Sequence, residues 1–327
     1  MSQIQGDLLF SCDADTIPAK VAELQKLGEA AMIVELSTIP PYVTSWLSLQ
    51  TEFGRNVEIA DIVKSVFVEE MLHMSLAANL INSVGGTVNL TSMTLLPQYP
   101  TPLGSGNFFD LMPGVYVSIE PMSPGLARDL FAKIETPATE EEQKVRVFKF
   151  YRDVAKQVDM DQWHNPEDQP TQSTNVDQSK DIPISTLYQP LFPIINLQKA
   201  VEAVIEIVYQ GEGGSQCTPF VGEQTEDNPF PDKSHYYRFL EIANQREIVK
   251  MTVPGGWNGG VDIPFREDGV WPLVRNPQNG MYKENTNAWK VNMEFNKAYT
   301  TLLQCLEKGF GGQPDLIKGC YSYMYDL

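Results

Sequence analysis

The chain has 327 residues, 42% of them hydrophobic and 20% charged, so it carries enough apolar material for a large core and is neither disordered nor fibrous. Its 24 basic residues stand against 42 acidic ones, a formal charge of -18. So acidic a surface repels phosphate backbones and anionic lipid heads, which sets aside nucleic-acid and membrane-surface partners.

No apolar run is long enough to span a bilayer. The segment from Met1 to Lys20 carries Asp7, Asp13 and Asp15 and has no basic leader, so a soluble cytoplasmic protein is expected. Cys12, Cys217, Cys305 and Cys320 are scattered with no CxxC pair. They read as reduced thiols in a reducing compartment.

The first helix is expected over about 17–49. Leu24, Leu27, Ala31, Val34 and Glu35 share one face, and Pro40-Pro41 should kink or restart the helix. The second is expected over about 58–84, ending at Gly85-Gly86. A long insertion follows over 85–190. Within it Ser123-Pro124 signals a short helix to about Ile134, and Thr139 with Glu142 signals another to about Val158. The polar stretch from Asp161 to Asp181, which holds His164, reads as an exposed loop. Bundle helices are then expected over about 194–212 and 232–253. A C-terminal extension over 254–327 holds helices near Thr286 to Lys308 and Pro314 to Tyr325. The expected class is mainly α, in a single domain.

Of the three histidines, His73 follows Glu70 by three residues and His235 follows Asp232 by three. Such spacing puts a carboxylate and an imidazole on one helix face. Ile59, Val63, Val66, Glu70, His73, Ala77 and Leu80 continue one apolar face, and Glu35 continues that of Leu24, Leu27 and Ala31. Val201, Ile205 and Val208 lead by the same steps to Glu212, while Glu69 and Glu206 fall off these faces and read as solvated or as neighbours of the ligands. Unpaired buried carboxylates are costly, and metal ions remove the cost. A Glu from each of two helices with a Glu-x-x-His from each of two others is the ferritin-like dimetal pattern. The expected ligands are Glu35, Glu70, His73, Glu212, Asp232 and His235, and mixed oxygen and nitrogen donors suit iron, with manganese the other choice.

Four segments together resemble the ferritin-like domain of iminophenylpyruvate dimer synthases, the violacein-pathway type. They are Glu35-Leu36-Ser37-Thr38-Ile39-Pro40-Pro41-Tyr42, Glu69-Glu70-Met71-Leu72-His73-Met74, Gln210-Gly211-Glu212-Gly213 and Ser234-His235-Tyr236-Tyr237-Arg238-Phe239. Asn276-Pro277 and Phe295-Asn296-Lys297-Ala298-Tyr299 are also similar, so the resemblance runs from about Glu29 to Met324. It implies a non-heme iron centre and oxidative coupling of imines derived from aromatic amino acids. The departure is Asp232, shorter than the Glu usual at that place.

The expected function is therefore an O2-dependent di-iron oxidase or oxygenase acting on a small organic molecule. Phe108, Phe109, Tyr116, Trp257 and Trp271 are candidates to roof its pocket. A ferroxidase or iron-storage protein and a non-catalytic bundle are the alternatives. A homodimer is left open.

Overall fold

The computed structural model describes residues 17–92, 96–103, 114–136, 191–212, 233–250 and 257–325, with residues 155, 167, 169 and 327 besides. The helix expected to Val158 and the loop holding His164 lie outside these residues, apart from Ala155, Glu167 and Gln169.

Seven helices make up most of the described chain. They are α1 (Ile17–Leu47), α2 (Val57–Ser83), α3, α4 (Leu197–Glu212), α5 (His235–Asn244), α6 (Asn287–Phe310) and α7 (Ile317–Tyr325). Helix α3 runs from Pro124–Leu126 through a π-turn at Ala127–Phe131 to Ala132–Ile134. Its start is as expected: the Ser123 hydroxyl accepts a hydrogen bond from the Leu126 N–H at 3.0 Å. Two small antiparallel ladders complete the set, β1 (Thr101–Pro102) with β2 (Tyr116–Val117) and β3 (Arg246–Lys250) with β4 (Trp257–Asp262). Among the described residues no helix is long and apolar enough to cross a membrane.

Helix α1 contains Pro40 and Pro41 without a break. Pro41 has no N–H to give to the carbonyl of Ser37, four residues back. The Tyr99 hydroxyl donates to that carbonyl instead, at 2.9 Å. The expected restart is thus absent, and a side chain from outside the helix supplies the donor that Pro41 lacks.

Helices α1 and α2 run antiparallel in close contact. Gly28 makes this approach feasible, since a Cβ there would lie 2.7 Å from Ile81 Cγ1. The apolar core has two parts. One gathers Leu24 to Leu36 of α1 with Leu72 to Val84 of α2, and the faces of α4 and α6. The other gathers Tyr42 and Leu49 with Ile59 to Phe67, α3 and α5. Between them lies a band of buried polar groups from Glu35 to Thr38 on α1 and from Glu69 to His73 on α2.

Three expectations need correction. Helix α5 stops at Asn244 rather than Val253. Gln245 turns into the left-handed region (φ 53°), and residues 246–250 become a strand. The Ile248 N–H bonds Glu241 Oε1 at 2.7 Å, which holds that strand to the helix. The buried face of α4 is Ala200, Ala203, Val204, Ile207 and Gln210, whereas Ile205 is 49% exposed. The face of Val201, Ile205 and Val208 is therefore not the inner one; the small alanines are, because they let the helix approach closely. Finally, Cys305 and Cys320 form a disulfide between α6 and α7, with Cα atoms 5.7 Å apart, so these two are not reduced thiols. Cys12 and Cys217 lie outside the described residues.

Candidate metal centre

Glu70 is the hub of the polar band. One turn of α2 places it beside His73, and both are buried. Its Oε1 lies 2.7 Å from His235 Nδ1 on α5, and its Oε2 lies 3.7 Å from His73 Nδ1. One carboxylate thus faces two imidazoles, a different oxygen to each. The two rings are stacked with centroids 5.4 Å apart. Glu70, His73 and His235 present donor atoms within 4.8 Å of one another, close enough to hold a metal ion.

Two more carboxylates border the group. Glu35 Oε2 is 4.0 Å from His73 Nδ1. Glu135, at the end of α3, has Oε2 3.7 Å from His235 Nδ1. Its other oxygen accepts a hydrogen bond from the Tyr42 hydroxyl at 2.7 Å. Tyr42 is fully buried against Phe131 and Phe239, with ring centroids 4.7 and 5.1 Å away. Space for Glu135 is made by Gly211 on α4, where a Cβ would lie 3.1 Å from Glu135 Oε2.

The outer nitrogens of both rings are fixed. His235 Nε2 is 2.9 Å from Glu69 Oε2, and an ionised carboxylate only accepts, so Nε2 carries the proton. Glu69 is in turn held by Arg238 Nη1 at 2.7 Å. Arg238 is itself anchored to the Lys233 carbonyl and to Ser65. His73 Nε2 is 2.8 Å from Gln210 Oε1, and the amide group of Gln210 donates to Glu206. The carboxamide oxygen therefore faces His73 and accepts its proton. Nδ1 is then the nitrogen that each ring turns to the interior.

Electrostatics agree with a site short of positive charge. Burial raises the Glu35 carboxyl well above its usual range, and the adjacent Glu70 raises it further. Burial also works against the charge of Glu70, yet Glu35, His235 and His73 together hold it well below the usual range. Burial would lower His235, but Glu135, Glu69 and Glu70 overcome this and raise it well above. For Glu69, the cost of burial is outweighed by Arg238 and His235, which keep it ionised. Glu206 is pushed up to about 6 by burial, against the lowering influence of His73 and Gln210.

Within the central group, the buried atoms Glu35 Oε2 and His235 Nδ1 have no hydrogen-bond partner; next to it in the chain, the buried Ser234 Oγ also lacks one. His235 Nδ1 is close to Glu70 Oε1 without hydrogen-bond geometry, so an ion that displaced the imidazole proton would find both donor atoms beside it. Oxygen donors with imidazole Nδ1 donors fit iron or manganese.

Of the six residues expected as ligands, Glu35, Glu70, His73 and His235 are brought together. The side chain of Glu212 and all of Asp232 lie outside the described residues. Glu69 and Glu206 are buried rather than solvated, at 1% and 8% exposure, and each stands behind a ring's hydrogen-bond partner or is that partner. Glu135 was missed. Ala127 and Phe131 precede it by eight and four residues, so its face is readable in the sequence, but the expected helix ends at about Ile134, one residue earlier. Tyr116 and Trp271 are 58% and 54% exposed; Phe108 and Phe109 lie outside the described residues, as does the Trp257 side chain.

Among curated proteins no relative matches this chain. A ferritin-like protein from Caulobacter vibrioides, known from a crystal structure, is similar in fold at a TM-score of 0.49 and 18% identity, covering 94% of this chain and 96% of its own. The ferritin-like family model matches residues 29–244, more than half of the sequence and every residue of the metal-site group. With its mainly helical bundle and buried Glu and His cluster, the chain belongs to the ferritin-like family.

Proposed function

We propose that the chain is a non-heme di-iron oxidoreductase that uses O2 to oxidise a small organic molecule. The observation that carries this reading is a pair of buried, unpartnered donor atoms at the group around Glu70: His235 Nδ1, 2.7 Å from Glu70 Oε1, and Glu35 Oε2, 4.0 Å from His73 Nδ1. Glu35, Glu70 and His73 would hold one ion; Glu70, Glu135 and His235 would hold the other. Glu212 and Asp232 remain candidates for further positions. When bound, the irons supply the electrons and the open coordination positions for O2.

The chain's own residues prepare the site. Glu69 and Gln210 hold the Nε2 side of each imidazole, so that Nδ1 faces the centre. Tyr42 fixes one oxygen of Glu135 and leaves the other facing His235. The two apolar clusters on either side exclude water, which strengthens every charge interaction in the band. The motif resemblance to iminophenylpyruvate dimer synthases directs the substrate search to imines of aromatic amino acids.

The test is iron content per chain after growth with iron, beside a Glu70→Ala, His235→Ala double variant, followed by O2 uptake with such imines. Roughly two irons per chain, lost in the variant, with imine-dependent O2 uptake, supports the reading. Many irons per chain, oxidised without any organic substrate, would establish the ferroxidase or storage alternative. Absence of bound metal in both proteins would overturn both.

A further inference from the structure

The two imidazoles of the centre are backed by different chemistry. His235 donates to Glu69, which is paired with Arg238 inside the protein. His73 donates to the neutral carboxamide of Gln210, and the nearest carboxylate behind it, Glu206, is one residue further away. An anionic acceptor makes an imidazole more basic and a stronger ligand than a neutral amide does. The contrast does not arise from the ligands themselves, since each ring meets Glu70 through Nδ1 and has one further carboxylate beside it.

We infer that Glu69 and Gln210 are positioning residues that rank the two metal positions, so that ions load in order, the His235 half first and the His73 half second. This rests on the dimetal reading above. The His73 half is then the exchangeable one. Gln210 sets this order without touching the metal, by giving His73 an acceptor that carries no charge.

The test uses the whole apo chain titrated with ferrous iron alone, without oxygen, against a competing chelator. Two separate binding steps are expected, and His235→Ala should remove the tighter. The informative variant exchanges the pair, Glu206→Gln with Gln210→Glu. It conserves charge and size and puts a carboxylate against His73. It should tighten the weaker step about 10–100-fold and bring the two steps together. Glu69→Gln should loosen the tighter step by a similar factor, and it serves if the exchanged variant does not fold. A residue that merely supports the helix would alter apo stability and leave the order of the steps unchanged. Two equal steps in the parent chain, or a weaker step unmoved by the exchange, would overturn the inference and leave the dimetal reading standing. Failure of the parent chain to bind iron would overturn that reading, and the ranking with it.

Discussion

Glu70 and His235 meet across two helices with Oε1 and Nδ1 2.7 Å apart, and no hydrogen bond joins them. The same carboxylate turns its other oxygen toward His73. Glu70→Gln keeps the shape of this hub and removes its charge. Iron affinity should fall by more than the ~10–100-fold typical of outer partners, because a residue facing both imidazoles is lost. Iron per chain after dialysis checks this, and a fully loaded variant would show that Glu70 holds no metal.

Tyr42→Phe deletes the donor to Glu135 and nothing else. Glu135 Oε1 is left buried without a partner, which costs about 1–3 kcal/mol. Urea unfolding of the apo chain should register this loss. The variant should also weaken iron binding at the His235 half, since nothing then fixes the carboxylate of Glu135.

Arg238→Met removes the cation paired with Glu69 and leaves a buried carboxylate that, among the described residues, keeps His235 as its partner. Breaking one side of such a pair destabilises by about 3–5 kcal/mol. Thermal unfolding should show a large drop. In Glu69→Gln, Arg238→Met the charge and its counter-charge go together, so much of the loss should return.

The pH dependence should reverse on metal binding. His235 has a folded pKa raised by Glu135, Glu69 and Glu70 against the opposing influence of burial. A raised histidine contributes stability that is fully present below its unfolded pKa of about 6.5 and is lost as pH rises through the folded value. Glu35, raised by burial, acts in the same direction, beginning at the ordinary carboxyl range. The apo chain should therefore lose stability from mild acid toward alkaline pH. Metal must displace these protons, so iron affinity should rise over the same interval. Unfolding curves of apo and loaded protein across pH 5–9 check both signs; parallel profiles would remove the His235 and Glu35 argument.

Cys305→Ser should lower the stability of the α6–α7 hairpin. The bridge spans 15 residues, and closing a loop of that length stabilises by about 3 kcal/mol. Thiol counting before and after reduction shows whether the bridge forms in the purified chain.

Much of this was legible in the residue order. A Glu and a His three apart on an apolar face have one place to go, since helical geometry alone puts them together inside. Glu70 and His73 followed from that reasoning, and Glu35 from continuing the apolar face of Leu24, Leu27 and Ala31, as did the two long N-terminal helices. His235 was singled out by its spacing from Asp232, but it opens α5 with Ser234 extended before it, so its place at the centre comes from the packing of α5 rather than from a shared helix face. Sequence could not decide which face of α4 turns inward, because Ala200 and Ala203 give no periodic signal comparable to Val201 and Ile205; the choice was made by how closely α4 packs on the bundle. It could not show that Tyr99 would supply the donor that Pro41 lacks, or that Cys305 would meet Cys320, since both contacts join residues remote in the chain or separated by a turn. Glu135 needed the π-turn of α3 and the bare Cα of Gly211 to reach the centre. Local periodicity determined which groups must be buried, because it depends only on the helix repeat. Which of them meet, and which atom each leaves free, was decided by tertiary packing, because distance across helices is set by the side chains that fill the space between them.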